Sequence, residues 1–95
     1  MYEIYFTNEF KKQLRLMIKR GKNAEIMNEA IEILGSTGTL PVVPYRTHKL
    51  SGNLVNHWEA HLESDWLLIW KRNRNKIIIT LTNTGTHADL FQRHK

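Results

Sequence analysis

The spacing of apolar positions predicts one strand and two helices in the first part of the chain. Residues 2–6 alternate between apolar and more polar side chains, which is the period of a short, half-buried strand. Thr7 or Asn8 then offers a helix cap, and Gly21 ends the first helix. A second helix runs from about residue 24 to Gly35. The predicted buried stripes are Phe10, Leu14, Met17 and Ile18 in the first helix, and Ile26, Met27, Ala30, Ile31 and Leu34 in the second.

The second half of the chain is predicted to be a loop followed by strands. Apolar residues alternate with ionisable ones over residues 58–63, so that His61 points away from the core. The run Trp66–Trp70 is continuously apolar, which indicates a central strand. The predicted order is a loop over 35–44, a short edge strand over 45–51 that turns at 51–53, the strand over 58–63, the central strand, a hairpin connection over 71–76 and a strand over 77–82.

Together these elements predict an α+β fold in β-α-α-β-β-β order. Two helices can cover one face of a small, mainly antiparallel sheet, so the other face is expected to be open and lined by polar side chains. The sequence has no internal repeat, low-complexity tract or linker, and residues 1–95 are predicted to form a single domain.

Composition narrows the classes of function. The chain has 95 residues and no cysteine, which excludes disulfides, thiolate zinc sites and cysteine nucleophiles and fits a reducing compartment. The N-terminal residues do not resemble a secretory signal, and no apolar stretch approaches the length of a membrane span. We therefore expect a cytoplasmic protein without a membrane partner. The net charge of +5 suits a polyanionic partner, although small basic proteins about as often carry only solvated lysines.

Histidines are the residues through which this chain could do chemistry, because imidazole exchanges protons near neutral pH. His48, His61 and His87 lie in three different segments of the second half. A metal site is one interpretation, but four residues of strand span about 13 Å, so His57 and His61 cannot chelate one ion. The set His48, His61, Asp65 and His87 could still converge as metal ligands.

Metal-free cleavage of RNA fits these residue types better. One histidine can take the proton from the 2′-hydroxyl, another can protonate the 5′-oxygen, and a cation can stabilise the charge that develops on the phosphate. Taken alone, each histidine is more often a surface residue without a role. The candidate RNA- and phosphate-binding cations, which we expect near the open face, are Arg46, Lys49, Lys71 and Arg72.

Three segments carry a resemblance to a known family. His48–Gly52, Glu59–Trp70 and Thr84–Phe91, in this order and spacing, resemble the YafQ-type toxins of the RelE/ParE superfamily. The resemblance covers most of the chain and implies the RelE-like form of the α+β fold. It also implies a toxin of a type II toxin-antitoxin system. Such a toxin is a ribosome-dependent endoribonuclease, an mRNA interferase, which cuts mRNA in the decoding site and inhibits translation.

The resemblance further implies partners and a set of site residues. The partners are a cognate antitoxin protein, mRNA and the rRNA of the ribosome, with operator DNA reached only through the antitoxin complex. No metal or other cofactor is expected. The catalytic residues that the resemblance implies are His48, His61, Asp65, His87 and Phe91.

The residue types suggest how these groups divide the reaction. His87 is expected to be the general acid and either His61 or His48 the base, while Asp65 orients an imidazole or shares the base role. Phe91 would position a base by stacking. Without the resemblance, Asp65 would be interpreted as a turn residue and Phe91 as a core residue that anchors a C-terminal turn.

One position departs from the family pattern. The family's usual arginine four positions before the final histidine is replaced by Asn83, so Arg46, Arg72 or another basic group would have to stabilise the phosphate. His57 and His94 have no motif support and are left out of the predicted site. The three tryptophans, which we expect in the core, are Trp58, Trp66 and Trp70.

Two other functions compete with the nuclease. A toxin like the ParE branch would bind and inhibit a topoisomerase without enzymatic activity and would not need the histidines and Asp65. A zinc-dependent hydrolase would lose its activity to a chelator. A basic cluster on the first helix and its exit could contact ribosomal RNA or accept an acidic antitoxin segment: Lys11, Lys12, Arg15, Lys19, Arg20 and Lys22.

Overall fold

The structure, a computed structural model, describes residues 1–91. Within this range a five-stranded sheet packs against two long helices. The elements in chain order are β1 (Glu3–Phe6), α1 (Asn8–Lys19), α2 (Ala24–Thr37), the short segment α3 (Val42–Tyr45), β2 (His48–Lys49), a 3-10 turn (Gly52–Leu54), β3 (His57–Glu63), β4 (Trp66–Asn73), β5 (Ile78–Gly85) and the single-turn helix α4 (His87–Leu90).

The strand order across the sheet is β1-β5-β4-β3-β2. β1 runs parallel to β5, and the other neighbouring strands are antiparallel. β4 lies in the middle, and its first five residues, Trp66–Trp70, are all buried because protein covers both faces there. The predicted α+β fold with a mainly antiparallel sheet is confirmed, and so is the predicted central strand.

The start of α1 agrees with the prediction from the sequence, and the end of α2 does not. The Thr7 side chain accepts a hydrogen bond from the backbone N–H of Phe10 at 3.0 Å, as expected for a helix cap. Gly35 was predicted to end α2, which was wrong. The helix continues to Thr37 and ends at Gly38, whose φ of 85° lies in the left-handed region that favours glycine. In residues 1–91 no helix is both long and apolar enough to cross a bilayer.

The buried stripe of α1 is narrower than predicted. Phe10 and Met17 are fully buried and Leu14 packs partly against the core, but Ile18 is 39% exposed. At 3.6 residues per turn, Ile18 lies about 100° around the helix from Met17, so it falls at the margin of the contact with the sheet. The prediction that Ile18 is buried was therefore wrong.

The lengths of the edge strand, of one hairpin connection and of β5 differ from the prediction. The predicted edge strand over 45–51 reduces to the two residues of β2, which pair with Glu59 and Trp58. The predicted hairpin connection over 71–76 is narrower, because β4 extends to Asn73 and β5 begins at Ile78. At its other end β5 runs on to Gly85, and this extension carries the chain to the start of α4.

The two faces of the sheet are closed in different ways. On the face covered by α1 and α2, called the helix face below, Trp66, Leu68 and Trp70 join the apolar core. The opposite face, called the histidine face, carries Leu67 and Ile69, whose cross-strand neighbours on β3 are His61 and Glu59. Leu67 and Ile69 are buried as well, so the expectation of an open, wholly polar face is only partly correct.

Candidate active site

The site is centred on a hydrogen-bonded pair of side chains, one in a turn and one at the start of a helix. Asp65 lies in the turn between β3 and β4, and His87 is the first residue of α4. The pairing of Leu67 with Gly85 brings these two ends together. Asp65 Oδ1 accepts hydrogen bonds from the backbone N–H of His87 at 2.8 Å and from its Nδ1 at 2.6 Å.

This contact fixes the protonation pattern of the pair. The backbone N–H and the side chain of His87 hold the pKa of the Asp65 carboxyl below its ordinary value, so Asp65 is a carboxylate. A carboxylate only accepts hydrogen bonds, and therefore Nδ1 of His87 carries a proton. The remaining ring nitrogen, Nε2, is the atom of His87 that can exchange a proton with a substrate.

A capping box holds the helix that begins with His87. The Thr86 hydroxyl accepts from the backbone N–H of Asp89 at 3.1 Å, and the Asp89 carboxylate accepts from the backbone N–H of Thr86 at 3.0 Å. Arg20 and the Thr86 N–H lower the pKa of Asp89 to about 2. Asp89 is therefore ionised wherever the protein is near neutral pH.

His61 stands in the middle of the three histidines. Its ring centroid lies 5.6 Å from that of His87 and 6.4 Å from that of His48. Its Nδ1 is buried, and no hydrogen-bond partner for it lies within the described residues. Burial, the positive charge of Arg46 and the neighbouring histidines lower the pKa of His61, and Glu59 opposes this shift. At neutral pH His61 is uncharged and can accept a proton.

His48 is held by a residue that the sequence reasoning missed. Its Nε2 lies 3.2 Å from Oε1 of Glu59, and its Nδ1 donates to the carbonyl of Arg46 at 3.1 Å. Glu59 is only 5% exposed, which is unusual for a carboxylate and leaves His48 as its partner on this face. The signal was present, since the alternation over 58–63 placed Glu59 beside His61 on the ionisable face.

Phe91 and Arg46 lie at the margins of this cluster. Phe91 follows α4, is 41% exposed, and donates its backbone N–H to the His87 carbonyl. It lines a cleft of about 370 Å³ together with Ile69 and Asn83. Arg46 is exposed and has a φ of 53°, and its charge acts on His61. The structure thus brings both to the predicted site.

The remaining predicted cations are not with the histidines. Lys49 and Arg72 lie over the ring of Trp58, at 5.9 and 5.2 Å from its centroid, on the helix face. Lys71 is on the histidine face, but four strand residues, about 13 Å, separate it from Leu67 beside His61. Lys71 therefore lies on the face where it was expected, whereas Lys49 and Arg72 lie on the opposite face, and the RNA-binding role of all three stays a prediction. They line a separate cleft of about 890 Å³, called the basic cleft, whose cations are Lys49, Lys71, Arg72, Arg74 and Lys76.

Asn83, which replaces the family's arginine, is engaged with α1. Its Nδ2 donates to Oε1 of Gln13 at 3.3 Å, and the same oxygen accepts from the backbone N–H of Thr84 at 3.0 Å. The amide therefore joins β5 to α1. It brings no positive charge to the cleft.

The other predictions about site residues have mixed outcomes. Trp66 and Trp70 are fully buried, as expected, whereas Trp58 is only partly buried beneath its two cations. His57 lies on β3 four residues from His61. His94 lies outside the described residues. Within residues 1–91 no three side chains of His, Asp or Glu are arranged to hold a metal ion.

The sequence matches the model of a known family over nearly the whole chain. A family model described as a bacterial toxin of type II toxin-antitoxin system, YafQ, matches residues 2–92. The chain belongs to the YafQ family. The family inferred from the three sequence segments is thereby confirmed.

Relatives of the YafQ family agree in sequence and in structure. The mRNA interferase toxin YafQ of Escherichia coli K12 is 33% identical over 90 residues, which are 94% of this chain and 95% of that protein. An mRNA interferase is an endoribonuclease, as the resemblance implied for the family. A crystal structure of the E. coli DinJ-YafQ complex matches with a TM-score of 0.82 and 32% identity, covering 96% of this chain and 99% of that one.

A further structure in this fold group is a metal-bound toxin from Helicobacter pylori. It matches with a TM-score of 0.86 and 27% identity, and it covers 96% of this chain and 100% of the other. The E. coli complex contains a YafQ toxin together with DinJ, which supports a cognate antitoxin as a partner within the YafQ family.

Proposed function

We propose that this protein is a cytoplasmic toxin that cleaves mRNA on the ribosome, without a metal, by acid-base catalysis at the histidine face. The observation that carries the proposal is the Asp65–His87 pair, with His61 next to it at 5.6 Å. An ionised carboxylate that orients one imidazole beside a second, uncharged imidazole provides both proton transfers that cleavage of RNA needs.

In this mechanism His61 is the base and His87 the acid. Neutral His61 takes the proton of the 2′-hydroxyl, the 2′-oxygen attacks the phosphorus, and the bond from phosphorus to the 5′-oxygen breaks. The imidazolium form of His87, which carries a proton on both ring nitrogens, gives its Nε2 proton to the leaving 5′-oxygen. His48 is less suited to be the base, since Glu59 and the Arg46 carbonyl engage both of its ring nitrogens.

Arg46 and Phe91 complete the proposed site. Arg46 supplies the positive charge for the phosphate in the transition state, a role that the family's arginine would have at the position of Asn83. It is exposed and close enough to His61 to lower the pKa of that residue. The exposed ring of Phe91 offers a stacking surface for a base next to the scissile bond.

The basic cleft is proposed to hold RNA away from the cleaved bond. Five cations line it, two of them over the half-buried ring of Trp58, and a cluster of this kind binds phosphates whatever the base sequence. Lys71 of this cleft lies four strand residues, roughly 13 Å, from Leu67, the cross-strand neighbour of His61. Lys49, Lys71 and Arg72 therefore act on binding and not on the chemical step.

The toxin is proposed to be held inactive by a cognate antitoxin and to reach operator DNA only in that complex. The toxin in the E. coli DinJ-YafQ structure has the same fold, which supports a protein partner. The basic residues of α1 would contact either ribosomal RNA or an acidic segment of the antitoxin. Measuring which lysines the antitoxin protects from chemical modification distinguishes these two uses.

The decisive experiment is induction in bacterial cells followed by mapping of mRNA 5′ ends. We expect new ends within translated reading frames for the wild type and for Glu32→Ala, an exposed control on α2, but not for His87→Ala. Cleavage of a purified mRNA should require ribosomes and survive a chelator. Growth inhibition that is equally strong in His87→Ala, without new 5′ ends, would contradict the nuclease and favour the topoisomerase inhibitor.

A further inference from the structure

The connection between α1 and α2 contacts both sides of the Asp65–His87 pair. Arg20 donates two hydrogen bonds to the carboxylate of Asp89 in α4, at 2.7 and 3.3 Å. Lys22 forms an ion pair at 2.8 Å with Glu63, two residues before Asp65. Two neighbouring cations thus reach the segments that carry the two members of the pair.

The backbone that presents these cations is itself fixed. The N–H of Lys22 bonds to the carbonyl of Met17 at 3.1 Å, and the N–H of Gly21 bonds to the carbonyl of Ile18 at 2.9 Å. These two bonds form a Schellman motif, and Gly21 supplies the left-handed residue that the motif requires, with a φ of 100°. Arg20 and Lys22 therefore extend from a rigid helix end.

The segments they reach are short, and only the capping box supports α4 from within. α4 has four residues, and a single helical turn is not stable in isolation because nucleation costs more than one turn of hydrogen bonds returns. Asp65 lies in an exposed turn. A displacement of a catalytic group by about 1 Å can cost on the order of 100-fold in rate, so the separation of Asp65 from His87 has to be kept constant from outside the pair.

We propose that Arg20 and Lys22 are positioning residues that hold α4 and the Asp65 turn in register for catalysis. This inference rests on the proposed function, in which the Asp65–His87 pair protonates the leaving group. The proposed role differs from that of the cations within α1. Lys19, for example, would act only by attracting RNA or the antitoxin. Bidentate contacts between arginine and carboxylate are geometrically specific, which suits Arg20 to this task.

The first test compares Arg20→Ala, Arg20→Lys and Lys19→Ala in cleavage of mRNA on purified ribosomes. Lys19 is an exposed cation next to Arg20, and Lys19→Ala removes the same charge as Arg20→Ala. We expect kcat to fall about 10-fold in Arg20→Ala with KM little changed, partial recovery in Arg20→Lys, and an effect of Lys19→Ala that is confined to KM. Equal effects of Arg20→Ala and Lys19→Ala, both in KM, would overturn the inference and assign Arg20 to RNA binding.

The second test exchanges the partners of the other ion pair. Lys22→Glu and Glu63→Lys should each lower kcat, and the double variant should recover most of the loss because it restores an ion pair at the same place. Losses that add in the double variant would overturn the positioning role of Lys22. The double variant also keeps the net charge of the wild type, so a recovery cannot be attributed to attraction of RNA.

A third measurement reads the geometry without any RNA. The backbone N–H of His87 bonds to Asp65, so hydrogen exchange at this amide reports whether the pair is in register. We expect exchange to be about 5-fold faster or more in Arg20→Ala and unchanged in Lys19→Ala. Unchanged exchange in Arg20→Ala overturns the inference even if cleavage falls. If the wild type does not cleave mRNA at all, the proposed function fails, while the exchange result still decides whether Arg20 fixes the pair.

Discussion

Leu67 and Leu68 are adjacent residues of β4, both fully buried, and they serve opposite faces of the sheet. Leu68 points into the core made by α1, α2 and the sheet. Leu67 lies opposite His61 on one side and Gly85 on the other, close to the Asp65–His87 pair. The same side chain at the same burial thus contributes to packing on one face and supports the site on the other.

The difference between these faces lies in what they bury along with the leucines. The helix face buries apolar side chains, the Trp66 N–H, which donates to the Thr84 hydroxyl at 2.9 Å, and the Trp70 N–H, which has no partner within residues 1–91. The histidine face instead buries two ionisable groups, the carboxyl group of Glu59 and a ring nitrogen of His61 that also has no partner among the described residues. Burying ionisable groups lowers the free energy of unfolding, and a face that buries them is often shaped for chemistry.

The largest effect is expected from Asp65→Asn, a change confined to the histidine face. Because the amide no longer holds the Nδ1–H and the ring orientation of His87 as the carboxylate does, cleavage on ribosomes should fall by about 100-fold or more. The urea-induced unfolding midpoint should stay close to that of the wild type, since Asp65 is exposed. A large loss of stability would mean that Asp65 supports the fold more than the reaction.

Leu67→Ala and Leu68→Ala test the comparison most directly. Each removes a fully buried leucine, so each should lower the free energy of unfolding by about 2–5 kcal/mol. At a temperature where both variants are folded, Leu67→Ala should also lower kcat several-fold, whereas Leu68→Ala should keep kcat. Equal kcat values for the two variants would show that the histidine face tolerates the loss of the Leu67 side chain beneath it.

A smaller effect concerns the pH dependence of cleavage. His61 must be neutral to act as the base, so the rate should fall as the pH falls through its lowered pKa. Arg46→Ala removes a positive charge that lowers this pKa, and the acidic limb of the pH–rate profile should move to higher pH. Lys71→Ala, at the basic cleft, is the control and should leave the limb in place. A limb that does not move in Arg46→Ala would exclude His61 as the base.

The smallest effect is expected at the margin of the histidine face. The folded protein depresses the pKa of Asp89 from 3.8 to about 2. Such a group stabilises the fold above its unfolded pKa, and this contribution is lost as the pH falls towards 2. Asp89→Asn should therefore be less stable than the wild type at pH 7 by about 1 kcal/mol or less, and the difference in unfolding free energy should shrink below pH 4. A difference that is independent of pH would contradict an ionic origin.

The helix face could be predicted from the sequence because packing follows periodicity. Alternation in β3, the apolar run of β4 and the Thr7 cap all specify local structure directly. The end of α2 could not be predicted in this way. Gly35 stays helical and its carbonyl accepts the N–H of Tyr2 at 2.7 Å, a contact between distant parts of the chain that no local pattern reveals.

The histidine face was predicted in its residue types and only partly in its arrangement. The family resemblance supplied the set of histidines with Asp65, and the register of the strands brings that set together. The contact of Glu59 with His48 depends on the pairing of β2 with β3, which is a tertiary feature. The placement of Lys49 and Arg72 on the other face follows from a register that the sequence does not specify.

The parallel pairing of β1 with β5 has a consequence for the synthesis of this toxin. Of the strands described in residues 1–91, β1 comes first in the chain and its neighbour β5 comes last. Contacts between such distant segments form late and slowly. His87 follows β5 directly, so the Asp65–His87 pair cannot form until β5 has been made and has left the exit tunnel of the ribosome.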